Sequence, residues 1–256
     1  MKKRLDVLLV ERGLADTRSQ AQALVLAGRV SGHSKAGSML DEGALLELES
    51  PPRFVSRGGE KLEHALSALR IDVTGEDCLD VGASTGGFTD CLLQAGAARV
   101  CALDVGRAQL HERLRVDPRV RALERTNART LRCELLPFAP TFVTCDVSFI
   151  SLRLALPPAL VCAARGYRAL VLVKPQFEAG RTEAGRGVVR DPAVHRRVLG
   201  ELAGLAQADW GSALCGIVDS GLPGPKGNRE FFLFLEHARP RTPQERIDAW
   251  IDDAVG

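Results

Sequence analysis

After residue 70 the chain alternates between short apolar runs and stretches with helical spacing, and this alternation limits the possible folds more than any other feature. Cys78–Gly82, Val100–Val105, Phe142–Val147 and Ala169–Val173 are apolar runs of strand length. Gly87–Ala95 and Ala193–Ala208 are among the helical stretches that lie between or after them. Such alternation predicts an α/β fold, a parallel sheet with helices on both faces. Leu214–Val218 and Phe231–Leu235 are predicted to be the last strands. Thr242-Pro243-Gln244-Glu245 combines a capping box with proline at the first helical position, and predicts a closing helix that ends near Val255.

The first 50 residues read differently. Residues 4–27 are predicted to form two short helices. The first runs from Arg4, with Leu5, Leu8 and Leu9 on one face, and ends at Gly13. The second opens at Thr17-Arg18-Ser19-Gln20, where the Thr17 hydroxyl and the Gln20 amide can satisfy free backbone N–H groups, and it stops at Gly28. Residues 29–49 are predicted to be short β segments around turns at Gly32, Gly37 and Gly43. Pro51 and Pro52 mark a boundary. The expected division is a small α+β domain over 1–52, a linker over 53–60 and the α/β domain over 61–256.

Net charge is only +2, from 34 Lys and Arg against 32 Asp and Glu, so a nucleic-acid partner has to be argued from local clustering. Within residues 1–35 seven basic groups face three acidic ones. That helix pair suits phosphate contact, or equally a solvated surface. The seven cysteines are scattered without a CxxC pair and are expected to be buried, reduced thiols. No His/Cys cluster has zinc spacing, so no metal is expected. The N-terminus lacks an uninterrupted apolar core, and the charge-free run 154–164 is too short to span a bilayer, so a cytoplasmic protein without membrane contact is expected.

Asp80-Val81-Gly82-Ala83-Ser84-Thr85-Gly86-Gly87-Phe88 follows an apolar strand and opens a helix. Glycines there permit a sharp turn and close approach of a ligand. Asp104 ends the next strand, where a carboxylate can take both hydroxyls of a ribose. A dinucleotide turn would place glycine where Ser84 stands, and a P-loop would place lysine where Phe88 stands. An acidic strand end before a looser glycine turn suits S-adenosylmethionine better, since that cofactor is cationic and lacks a pyrophosphate. A dinucleotide oxidoreductase and a purely structural turn remain open on motif shape alone.

Four charged residues fall where such a sheet places its chemistry: Lys61 before the sheet, Asp146 and Lys174 at strand ends, and Glu230 at the start of the last strand. A ribose 2′-hydroxyl is a poor nucleophile and must lose its proton as it attacks a sulfonium methyl. A partly desolvated lysine near another cation can accept that proton, and carboxylates can hold and tune it. Lys174 is therefore expected to be the general base or to bind the hydroxyl, with Asp146 positioning it and Lys61 and Glu230 completing a tetrad.

These residues sit in Val55-Ser56-Arg57-Gly58-Gly59-Glu60-Lys61-Leu62, Asp80 to Phe88, Asp146-Val147-Ser148-Phe149-Ile150-Ser151, Lys174-Pro175-Gln176-Phe177-Glu178 and Gly227-Asn228-Arg229-Glu230-Phe231. In this order the set resembles the TlyA (hemolysin A) family of FtsJ-like ribosomal RNA 2′-O-methyltransferases along essentially the whole chain. Arg4-Leu5-Asp6, Thr17 to Ala21 and Ala27 to Val30 resemble the S4-type (alpha-L) RNA-binding module. The resemblance implies a Rossmann-like class I methyltransferase sheet of seven strands with the last antiparallel. It implies cytidine 2′-O-methylation in ribosomal RNA of the small or large subunit, with S-adenosyl-L-methionine as cofactor and ribosomal subunits as partners. Cofactor contacts are expected from Asp80, Gly82, Ser84, Thr85, Gly86, Gly87, Phe88, Asp104, Asp146 and Asn127, the last at the adenosine end. RNA contacts are expected from Lys2, Lys3, Arg4, Arg12, Arg18 and Arg29 in the small domain. In the large one they are expected from Arg57 and from two loops, one with Arg181, Arg186 and Arg190 and one with Lys226. Ordinary mobile loops are the alternative for these two segments. Two competing functions are a non-enzymatic ribosome-binding protein, which an intact tetrad disfavours, and a membrane-lytic hemolysin, which no apolar span or basic amphipathic helix supports.

Overall fold

The computed structural model describes residues 2–26, 29–48, 52–185 and 187–256. The helix stop expected at Gly28, the boundary residue Pro51 and the loop residue Arg186 lie outside them. Contacts divide the chain into two units, Met1–Arg53 and Phe54–Gly256.

In the first unit, β1 (Lys2–Arg4) pairs antiparallel with β2 (Met39–Asp41), Lys2 opposite Asp41. The chain passes from β1 straight into the helix Leu5–Glu11, so Arg4 belongs to a strand that its charged sequence does not suggest. The second helix is Arg18–Leu26. Leu5, Leu8 and Leu9 meet Ala21, Val25, Val30 and Leu46 in a small core. Thr17 Oγ1 accepts from Gln20 N at 3.2 Å, whereas Gln20 Oε1 takes the N–H of Asp16 rather than that of Thr17.

Asp6 is fully buried at the middle of this unit. Its carboxylate accepts from Arg4 Nε and NH2 at 3.0 Å, from Gln22 Nε2 at 2.9 Å and from Arg18 NH2 at 3.0 Å. The hydrogen bonds, Arg4's foremost, outweigh burial and hold the carboxyl far below the ordinary range. At least four of the six groups expected to meet RNA are thus engaged internally. Arg4 and Arg18 bind Asp6, Lys3 pairs with Glu11 at 2.9 Å and Glu42 at 2.8 Å, and Arg12 donates to the carbonyls of Ala44 and Glu42. Arg4 and Arg18 remain about half exposed and keep further donors.

The second unit contains β3 (Asp77–Val81), β4 (Arg99–Leu103), β5 (Val120–Leu123), β6 (Phe142–Cys145), β7 (Arg168–Val173), β8 (Ser212–Asp219) and β9 (Phe231–His237). They form one sheet in the order β5-β4-β3-β6-β7-β9-β8. The pairs among β3 to β7 are parallel, while β9 runs antiparallel to both neighbours. β5 escapes a reading by apolar runs because it is a half-exposed edge strand, Val-Arg-Ala-Leu, inside an arginine-rich stretch. The alternation of side chains across the pleat divides the core in two. Ala169, Val171 and Val173 pack with the helices Pro192–Ala208 and Gln244–Val255 on one face. Leu170 and Leu172 pack with Gly58–Ala68 and Gly87–Gln94 on the other.

Three expectations need correction. The closing helix begins at Gln244, not inside a Thr242 capping box: Thr242 N donates to Gln207 Oε1 at 2.6 Å and its hydroxyl to the Leu214 carbonyl, so tertiary partners take both groups. Cys133 and Cys162 form a disulfide, with Cα atoms 4.9 Å apart, which the 29-residue separation does not disclose; Cys78, Cys91, Cys101, Cys145 and Cys215 are free. The segment expected as a linker is largely built into the second unit: Phe54 is buried, Val55 N donates to Asp90 Oδ2 at 2.8 Å, and a helix starts at Gly58. Among the described residues no helix is long and apolar enough to cross a membrane.

The Asp6 cluster yields a test. Its depressed folded-state pKa contributes stability that is present above the unfolded value, near 4, and is lost as pH falls through and below it. Asp6→Asn should cost the first unit about 2 kcal/mol near neutral pH, the scale of hydrogen bonds to a charged group. Amide exchange over residues 2–26 should accelerate at pH 7, with the difference from wild type shrinking toward pH 3. Equal protection at pH 7 would remove the cluster from the unit's stability.

Candidate active site

Parallel β3, β4, β6 and β7 deliver their following residues to one edge of the sheet, where α/β folds place ligands. Gly82 follows β3 with φ +84°, and a Cβ there would lie 2.4 Å from the carbonyl oxygen of Asp146. Only glycine allows the exits of β3 and β6 to cross so closely. Ser84 N then donates to Asp104 Oδ2 at 2.8 Å, and Gly106 N to Asp104 Oδ1 at 2.7 Å, which fixes the carboxylate at the end of β4.

Two cavities open on this edge and share Gly82, Ser84 and Asp146. The smaller, about 300 Å³, is lined by Lys61, Lys174, Glu230, Thr85, Gly87 and Phe88 among others. The larger, about 710 Å³, is walled by Asp104 and Asn127 and by apolar Val147, Ile150 and Leu154. Asp80 and Gly86 line neither cavity. The Asp80 carboxylate is fully buried under the helix Gly87–Gln94, where it accepts from Thr89 Oγ1 at 2.7 Å and Thr144 Oγ1 at 3.1 Å. Burial pushes its pKa up to about 6 against the pull of these hydrogen bonds. Gly86, with φ +97°, has no room for a side chain beside Leu114 and Leu110, so its part here is steric.

The four expected tetrad residues meet in the smaller cavity. Lys61, on the first turns of the helix Gly58–Ala68, places Nζ 2.6 Å from Glu230 Oε2. Glu230 is fully buried, and its Oε1 has no hydrogen-bond partner among the described residues. Lys174, set by the end of β7 and by Pro175, makes an ion pair with Asp146 and a 3.0 Å hydrogen bond to Ser148 Oγ. Lys61 and Lys174 are 8% and 9% exposed. Each amine therefore faces a carboxylate, not the other amine as a first neighbour.

Sequence reasoning passed over Ser148, whose only mark is its place two residues after Asp146, and Ser56, whose Oγ would lie 2.2 Å from a Cβ at Gly87. It also passed over Phe149, which is 92% exposed with φ +66° and has its ring 5.2 Å from that of Phe177. Asn127 Oδ1 accepts from Arg129 N at 3.0 Å, so the turn explains part of its identity. Arg57 NH2 donates to the Pro223 carbonyl at 3.3 Å on the rim of the smaller cavity. Arg190 and Lys226 are exposed on the two loops after β7 and β8, and Arg181 opens the short helix Arg181–Ala184. Among the described residues no cluster of three His, Cys, Asp or Glu side chains is arranged to hold a metal ion.

Residues 54–237 match the FtsJ-like methyltransferase model, and residues 3–31 match the S4 domain. The chain belongs to the FtsJ-like methyltransferase family. Within that family it is 46% identical to the 16S/23S rRNA (cytidine-2′-O)-methyltransferase TlyA of Mycobacterium tuberculosis over 98% of this chain and 95% of that one. It is 38% identical to Hemolysin A of Brachyspira hyodysenteriae over 89% of this chain and 97% of that one. A solved structure from Streptococcus thermophilus whose name carries the word hemolysin superposes with TM-score 0.77 at 41% identity, covering 99% of this chain and 95% of that one. The methyltransferase fold and the FtsJ-like family imply a cofactor of the S-adenosylmethionine type.

Gly82 tests the construction of the site. Gly82→Ala should weaken binding of S-adenosylmethionine by tenfold or more, because the new methyl must displace the Asp146 backbone. Isothermal titration checks it, and unchanged affinity in a folded variant would mean that the crossing at Gly82 does not shape the cofactor site.

Proposed function

We propose that the chain methylates the 2′-hydroxyl of cytidine ribose in ribosomal RNA, with S-adenosylmethionine as methyl donor. The observation that carries this reading is the pair of lysine–carboxylate couples around one cavity beside the Gly82 turn. The residues present fit the cofactor: the turn leaves no side chain in the way, and Asp104 faces a cavity large enough for a nucleoside with Asn127 on its wall. When bound, S-adenosylmethionine supplies an electrophilic methyl on a sulfonium.

The chain's own groups do the rest. Lys174 Nζ, held by Asp146 and Ser148, takes the hydroxyl proton or holds the developing oxyanion. Lys61, held by Glu230, supplies a second positive group at the same cavity. Glu230 Oε1 remains available to accept a hydrogen bond from the sugar. Low exposure of Lys61, Lys174 and Glu230 strengthens their interactions.

The RNA reading draws on the S4 match and on relatives named for ribosomal RNA. In it the unit up to residue 53 docks the ribosomal subunit through Lys2, Lys3, Arg4, Arg12, Arg18 and Arg29, and the unit after it transfers the methyl. Arg57, Arg190 and Lys226 contact RNA phosphates in this reading, and Arg181 and Arg186 belong to the same loop as Arg190. A TlyA relative named for both 16S and 23S rRNA supports action on both subunits, hence in the cytoplasm. No observation favours membrane lysis over this reading.

Two substitutions at one position test the mechanism. Lys174→Ala should lower transfer of labelled methyl to ribosomal subunits by at least ~10³-fold, while cofactor affinity stays within about threefold, since general acid–base groups contribute ~10²–10⁴. Lys174→Arg, which keeps the charge but cannot accept a proton, separates a base from an electrostatic clamp. Near-wild-type turnover of Lys174→Ala removes this residue from the reaction.

A further inference from the structure

The loop joining β8 to β9 rims the smaller cavity through Pro223 and Gly224, and a second loop follows β7 and the short helix Pro175–Glu178. They meet at the side-chain amide of Asn228. Asn228 is 2% exposed; its Oδ1 accepts from Val189 N at 3.0 Å and its Nδ2 donates to Gly187 O at 2.9 Å. Its own carbonyl accepts from Gly224 N at 2.8 Å, which folds the second loop around it. Val189 is held from the other side as well: its side chain is buried, and its carbonyl lies 3.1 Å from Nε2 of buried His195.

The chemistry of this contact is specific to asparagine. One backbone N–H and one backbone C=O, two residues apart, require an acceptor and a donor on the same short side chain. An aspartate would keep the acceptor and set a negative charge against the Gly187 carbonyl. An alanine would leave both backbone groups unmet, the Val189 N–H in a buried position, which costs more than the bond contributed. Gly185 and Gly187 both have positive φ, a backbone conformation that glycine adopts without strain. Asn228 also stands two residues before Glu230, and the loop's base is closed by the Ser220 N to Glu230 O bond of 2.8 Å.

We propose that Asn228 is a positioning residue that fastens the arginine-bearing loop 180–190 beside Glu230, so that RNA phosphates gripped by that loop are held at a set distance from the lysine–carboxylate pairs. The proposal rests on the reading that this loop contacts RNA. Asn228 acts through Gly187 and Val189 and does not itself touch the reacting atoms.

The test uses the full chain with Asn228→Ala and Asn228→Asp. Limited trypsin digestion reads loop docking without reference to function, because a peptide bond must be drawn out of its packed position to enter the protease, and local release speeds that step. Both variants should be cut within 181–190 about tenfold faster, the factor expected for loss of one to two buried hydrogen bonds. KM for ribosomal subunits should rise by a similar factor, while kcat at saturating RNA and the dissociation constant of S-adenosylmethionine stay within about threefold. Wild-type cleavage rates in both variants would overturn the clasp itself. Faster cleavage with unchanged KM would leave the clasp but overturn the RNA role of the loop. A fall in kcat and cofactor affinity together, with a lower Tm, would assign Asn228 to general structure and overturn the proposal.

Discussion

Two lysine–carboxylate pairs sit at the carboxyl edge of one sheet, each lysine less than a tenth exposed and one carboxylate fully buried. Such pairs are weak stabilisers, because removing two charges from water costs about as much as their attraction returns. Replacing them by packed hydrophobic side chains would serve stability as well. Their presence around a cavity, with one oxygen of Glu230 left without a partner, marks a site arranged for a ligand. The remainder of the second unit serves to bring these four groups together from positions 61, 146, 174 and 230.

The sheet does so by direction. Parallel β3, β6 and β7 point their ends at the same edge, so residues far apart in the chain converge without long loops. The antiparallel β9 reverses the arrangement: Glu230 reaches that edge from the start of its strand, not from the end. The helix Gly58–Ala68, packed on one face, adds Lys61 from outside the sheet. Gly82 is the geometric condition for all of this, since any side chain there would collide with the backbone that carries Asp146.

Features repeated along the chain were legible in the sequence. The apolar runs at 78–82, 142–147 and 169–173 and the glycine turn after Asp80 identified sheet, edge and cavity. What escaped depended on contacts between distant residues. β5 is too short and too polar to register as a run, and it is a strand because it pairs with β4. Cys133 and Cys162 approach through the packing of segments on one face of the sheet, which spacing does not encode. Thr242 has the residues of a helix cap but finds better partners in Gln207 and Leu214. Asp80 carries the motif's acidic residue yet turns away from the cavity toward Thr89 and Thr144. The basic groups of the first helix pair were read from charge and from the resemblance to the S4-type module, neither of which shows that Asp6, Glu11 and Glu42 engage several of them internally. The tetrad was visible only as a set, because no single strand-end lysine or aspartate differs in sequence from a surface residue.

We propose that this cavity delivers a methyl group to a cytidine 2′-oxygen in ribosomal RNA. The most direct measurement maps 2′-O-methyl groups at nucleotide resolution on ribosomal RNA from cells with and without this chain. One or a few cytidine modifications should vanish without it and return only with a copy whose four tetrad residues are intact. An unchanged methylation map, or one restored equally well by a copy with Lys61 and Lys174 both replaced by alanine, would contradict it.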